Sequence, residues 1–80
     1  MKPETSQQLK ALLAAAFQLT PTDIPESLSF GDLPQWDSMG HMEVMLALEE
    51  QFGVEITADT IAELTSFAEI GAYVEANGHA

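Results

Sequence analysis

Leu9, Leu12, Leu13, Ala16 and Phe17 stand at i, i+3, i+4, i+7 and i+8. That spacing lays one apolar stripe along an α-helix and matches no alternating strand. It recurs at Phe67, Ile70, Gly71 and Val74, and a third helical run, Met39 to Phe52, contains no proline and one glycine. Thr5 with Gln8 marks the first start as a capping box, while Ser66 with Glu69 opens the last helix and Asn77-Gly78 closes it. Between Phe52 and Ser66, Thr57 heads a short helix around Ala58 to Ala62, anchored by Ile56, Ile61 and Leu64. From Gln18 to Asp37 the chain carries Pro21, Pro25 and Pro34 without a sustained period, which reads as a long loop with one short turn near Asp23. Ile24, Leu28, Phe30 and Leu33 would pin this loop to the core while it crosses the domain, letting the first two long helices run roughly parallel.

The fold expected is all-α: a small, antiparallel-type four-helix bundle of three long helices and one short helix, with a long loop between the first and second helices. Residues 1–80 form one domain, with frayed ends at 1–4 and 77–80. Eighty residues lie near the lower size for a core without staples, and there is no cysteine to provide any. Eleven alanines suit close helix packing more than large sheets. No run approaches the roughly 20 apolar residues of a membrane span, and Met-Lys-Pro-Glu lacks the apolar core of a signal peptide, so the expected location is cytoplasmic.

The net charge is −11, and both cations, Lys2 and Lys10, fall within the first ten residues. Every Asp and Glu except Glu4 lies in the cation-free remainder. Such a surface disfavours nucleic acid and anionic membranes and favours partners with basic docking faces. Acidic charge also confers solubility, and composition does not separate the two roles.

Asp37-Ser38 sits where the irregular stretch Gly31 to Trp36 gives way to the second long helix. Helix starts carry unpaired N–H groups and about +0.5 of a charge, so a phosphate borne by Ser38 would be well placed. Asp37 or Ser38 could equally be a plain N-cap. At about 100° per residue, Val44, Met45, Leu48 and Phe52 share one face of this helix, while Met39, Met42 and Leu46 form a second apolar stripe. Glu43, Glu49 and Glu50 bracket that second stripe. A helix packed on one layer needs only one stripe, so the other reads as a docking strip with an acidic rim, unless the bundle surrounds the helix entirely. No cation lies nearby to offset burial of Glu49.

The run Asp37-Ser38-Met39, followed by Glu43 to Glu50 and then Gln51-Phe52-Gly53-Val54-Glu55-Ile56, resembles the acyl carrier protein family, the phosphopantetheine-binding carriers. The resemblance extends to the last helix. It implies that Ser38 bears 4′-phosphopantetheine, derived from coenzyme A, and that the thiol of this arm holds acyl or aminoacyl groups as thioesters. It implies further that Asp37 supports modification by a phosphopantetheinyl transferase. Met39, Met42, Glu43, Leu46, Glu49 and Glu50 would meet loading enzymes, synthases and transferases, with the carrier itself a non-catalytic monomer. Gly40 and His41 depart from the commonest pattern of fatty acid synthesis, an acidic and a hydroxyl residue, and Trp36 stands where a small residue is frequent. Cargo and pathway, whether fatty acid, polyketide or peptide, therefore stay open. Gly40 would loosen the first turn, by about 1 kcal/mol relative to Ala, and Trp36 would pack the loop.

Asp37, Ser38 and His41 also invite a hydrolase reading, but no oxyanion nest is evident in a domain of this size. A metal site from His41, His79 and a carboxylate has no supporting spacing. The rival from another class is an acidic helical adaptor that binds a partner without covalent modification.

Overall fold

The computed structural model describes residues 1–77, and among these the chain forms four α-helices: α1 (Pro3–Phe17), α2 (Ser38–Phe52), α3 (Ala58–Glu63) and α4 (Phe67–Ala76). One 3-10 turn, Pro21–Asp23, interrupts the α1–α2 loop at the place the sequence marks. The all-α bundle with three long helices and one short one is as expected, and the α1 and α4 stripes face inward, with Leu9, Leu12, Leu13, Phe17, Phe67, Ile70 and Val74 buried.

Two details of α1 differ from the reading of the sequence. The helix starts at Pro3 with no side-chain cap, because proline's fixed φ is ready-made for the first helical position, where its missing N–H costs nothing. Thr5 and Ser6 are therefore inside the helix and buried, and Ser6 Oγ donates to Glu26 Oε2 at 2.6 Å, tying the loop to α1. Residues 1–4, expected as a frayed end, are engaged as well: the Lys2 backbone N–H donates to Glu75 on α4 at 2.6 Å. This bond is the main cause holding the Glu75 carboxyl below its ordinary range. From Gly78 on, the expected C-terminal fraying, and His79 with it, lies outside the described residues.

The loop is fastened by backbone pairing as well as by side chains. Phe67 N–H donates to Leu28 O (2.9 Å) and Phe30 N–H to Thr65 O (2.8 Å), around a single antiparallel bridge between Ser29 and Ser66. Ile24 and Leu28 are buried as expected and Leu33 is half-buried, but Phe30 is 44% exposed. Phe30 lies just past the Ser29 bridge, and its ring meets that of His41 edge-on at 5.6 Å instead of entering the core. Thr60 N–H and Thr57 Oγ1 close a true capping box at the start of α3, and Ser66 Oγ accepts from Glu69 N–H at the start of α4. Gly53 ends α2 in the left-handed region (φ 71°), with its N–H reaching back to the Glu49 and Leu48 carbonyls.

Candidate functional site

Asp37, not Ser38, is the N-cap of α2: its Oδ1 accepts from Gly40 N–H at 2.8 Å. Of the two residues that could cap this helix, Asp37 does so and Ser38 does not. Ser38, the first helical residue, is exposed, and among the described residues its hydroxyl has no hydrogen-bond partner. The N–H groups of Ser38 and Met39 have no carbonyl one turn back inside the helix, which leaves partial positive charge beside that hydroxyl. A phosphodiester on Ser38 fits this corner on both steric and electrostatic grounds.

Gly40 has a packing reason that propensity does not reveal. The turn Leu33–Trp36 folds back over the helix start, with Trp36 N–H donating to Leu33 O (3.0 Å) and Gly31 N–H to Trp36 O (3.1 Å). A Cβ on Gly40 would collide with the Gln35 carbonyl oxygen and lie 3.0 Å from its carbon. Close approach of loop backbone to helix, rather than a need for looseness, accounts for this glycine.

Trp36 packs the loop, as expected, and does so completely, at 0% exposure. Its ring lies 5.5 Å from that of Phe17 and 6.2 Å from that of His41. The indole N–H donates to His41 Nδ1 at 3.0 Å, so Nδ1 carries no proton and the neutral ring holds its proton on Nε2. From there it donates to the Ile61 carbonyl of α3 at 2.8 Å. With Asp37 on Gly40 and His41 between Trp36 and Ile61, the three residues of the hydrolase reading form no triad. Among the described residues no group of three or more His, Cys, Asp or Glu side chains is placed to hold a metal ion.

The two apolar stripes of α2 have different fates. Val44, Met45 and Leu48 are buried and Phe52 is half-buried, whereas Met39, Met42 and Leu46 are 78%, 39% and 54% exposed. Glu43, Glu49 and Glu50 are exposed around them. The bundle does not surround the helix. Met42 and Ser38 line a groove of about 390 Å³ with Phe30, His41, Ile61 and Thr65. Asp37, Met39 and Glu43 line a separate hollow against the end of α1. Leu46, Glu49 and Glu50 lie farther along the helix. Sequence reasoning missed Phe30 and Ile61 as neighbours of Ser38. In sequence Phe30 is one more apolar residue of the loop and Ile61 one of the anchors of α3, and neither carries a signal that would bring it beside Ser38.

Residues 7–74 match the family model described as a phosphopantetheine attachment site. The chain is similar to an acyl carrier protein of Zymomonas mobilis, 28% identical over 72 residues, covering 90% of this chain and 92% of that protein. An acyl carrier protein of Helicobacter hepaticus is 31% identical over 75 residues, covering 92% and 97%. One from Thermosynechococcus vestitus is 30% identical over 67 residues, covering 84% and 83%. An adaptor with no covalent group would not explain a match to an attachment site across nearly the whole bundle. The chain belongs to the acyl carrier protein family, the phosphopantetheine-bearing, non-catalytic carriers.

Proposed function

We propose that Ser38 is the attachment point for 4′-phosphopantetheine and that α2 presents it to enzymes of a biosynthetic route. The observation that carries this reading is the division of labour at the start of α2, where Asp37 caps the helix and leaves the Ser38 hydroxyl exposed and without a partner among the described residues. When bound, the arm supplies a thiol that holds acyl groups as thioesters, which suits a chain without cysteine. On modification Ser38 Oγ loses its proton to a base of the transferase and bonds to phosphorus, with the nucleotide half of coenzyme A as leaving group. Asp37 supports this by fixing the first turn through Gly40 N–H.

Met39, Met42 and Leu46 give partner enzymes an adaptable apolar strip, and Glu43, Glu49 and Glu50 steer basic docking faces toward it. The partners are a phosphopantetheinyl transferase and the loading enzymes, synthases and transferases that follow, met by a monomeric carrier in the cytoplasm. No helix of the described residues is long and apolar enough to cross a membrane.

The test is incubation of the apo protein with coenzyme A and a broad-specificity phosphopantetheinyl transferase, followed by intact mass measurement. Wild type gains one phosphopantetheinyl group and Ser38→Ala gains none. Absence of added mass on wild type, or equal modification of the variant, overturns the assignment.

A further inference from the structure

The groove lined by Ser38 lies between α2 and α3, and its lining includes His41, a residue only 5% exposed. Three contacts hold that ring still. Trp36 lies roughly parallel to it on one side (29° between planes), Phe30 meets it edge-on at 5.6 Å, and its Nε2–H is bonded to Ile61 O. The Ile61 carbonyl belongs to the last turn of the six-residue α3, where the helix supplies no partner: Thr65 N–H, four residues on, turns instead to Glu63 O. His41 is what satisfies it. Within α3 only Thr60 is buried and only Ile61 half-buried, so the helix offers little other packing to hold it in place. Trp36, which bonds His41, belongs to a filled core cluster with Val44, Met45, Leu48 and Phe67, all at 0% exposure.

We infer that His41 latches α3 to α2 beneath the attachment serine, so that cargo rests in the open groove against Phe30, Met42 and Ile61 and does not enter the core. This inference rests on Ser38 bearing the arm. It names the class of cargo that the protein shelters: compact apolar acyl groups that fit the groove. Longer chains gain nothing further, because their distal methylenes lie in solvent. Ser38 itself lines the groove beside the apolar Phe30, Met42 and Ile61, which makes the cargo of its own arm the occupant.

The test loads wild type, His41→Ala and His41→Gln with butyryl, octanoyl and dodecanoyl pantetheine arms from the corresponding coenzyme A thioesters, with each product verified by intact mass. Thioester cleavage by hydroxylamine, which yields the hydroxamate and the free thiol, is then timed. Amide shifts are compared with those of the unacylated arm. In wild type the three thioesters are cleaved at rates within about twofold of one another, and the amides of Leu13, Leu48 and Ile70 do not shift. His41→Ala leaves the Trp36 N–H and the Ile61 carbonyl unpaired and opens the seam. There the dodecanoyl thioester is cleaved about tenfold more slowly than butyryl, since each buried methylene favours the interior. Gln can accept from Trp36 and donate to Ile61, so His41→Gln behaves as wild type. If His41→Ala does not fold, His41→Asn, too short to span both partners, takes its place in the comparison.

Core shifts or length-dependent protection in wild type overturn the latch, as does a variant without both bonds that matches wild type. Failure of any arm to attach overturns the Ser38 assignment itself, and the mass measurement separates that result from the others.

Discussion

The two apolar faces of α2 are similar in composition and opposite in use. One carries Val44, Met45 and Leu48 at 0% exposure; the other carries Met39, Met42 and Leu46 in solvent, rimmed by Glu43, Glu49 and Glu50. The difference lies in the surroundings. The inner face meets α1, the loop and Trp36, whose combined side chains fill the interior. Among the described residues no element of the bundle buries the outer face, and no Lys or Arg follows Lys10 in the sequence. Hydrophobicity alone therefore does not place a residue in this fold, and the acids beside the outer stripe mark it as a surface.

The comparison breaks most visibly through a matched pair of truncations. Leu48→Ala empties a fully buried site and is expected to cost about 2–5 kcal/mol, whereas Leu46→Ala removes a largely exposed side chain and is expected to stay within about 0.5 kcal/mol. Urea unfolding of the two variants measures this directly. Leu46→Ala should instead slow modification by the transferase, seen as a fall in kcat/KM with little change in Tm. Equal losses of stability in both variants would mean that the outer face is also part of the core.

A smaller effect is expected where the inner face meets the loop. Gly40→Ala gains helix propensity, about 1 kcal/mol, but its methyl group would displace the Gln35 carbonyl, and such overpacking typically costs about 1–3 kcal/mol. The clash wins because the obstructing atom is backbone in a turn held by the Trp36 and Gly31 hydrogen bonds. A net loss of about 1 kcal/mol is expected by chemical denaturation. A stabilised variant would show that the turn yields freely and that Gly40 is there for another reason.

How much of this was legible follows from the range of the interactions. Stripes, caps and the proline-rich loop depend on neighbours in sequence, so α2, α3, α4 and the place of Ser38 could be read directly. Pro3 was legible too, as a helix opener, but Thr5 with Gln8 offered a competing signal. At the end of α1 the left-handed residue is Gln18 (φ 59°), which carries none of the glycine signature of such caps. The rest is long-range. The Gln35–Gly40 approach and the exposure of Phe30 depend on how the loop folds over other elements. The bond from His41 to Ile61 spans twenty residues and has no periodicity to announce it. His41 falls on the inner face of the wheel, yet an imidazole there says nothing about which carbonyl it will meet.

The outer face also bears on stability through its charge, and here the expected effect is smallest. With all Lys and Arg confined to the first ten residues, the acids along α2 repel one another and the rest of the acidic chain. The bundle's few ion contacts among described residues, such as Lys10 with Glu26 at 3.9 Å, lie away from α2 and are partly exposed. Added salt should therefore raise Tm, and Glu49→Gln with Glu50→Gln should raise Tm by up to about 4 °C at low salt while shrinking the salt response. The same double variant should associate more slowly with a basic-faced enzyme, because it loses the charge that speeds encounter. Opposite signs for stability and docking are what an outer face kept for partners requires. If the double variant instead lowers Tm, Glu49 and Glu50 hold the fold together, and the distinction between the two faces of α2 fails at its acidic rim.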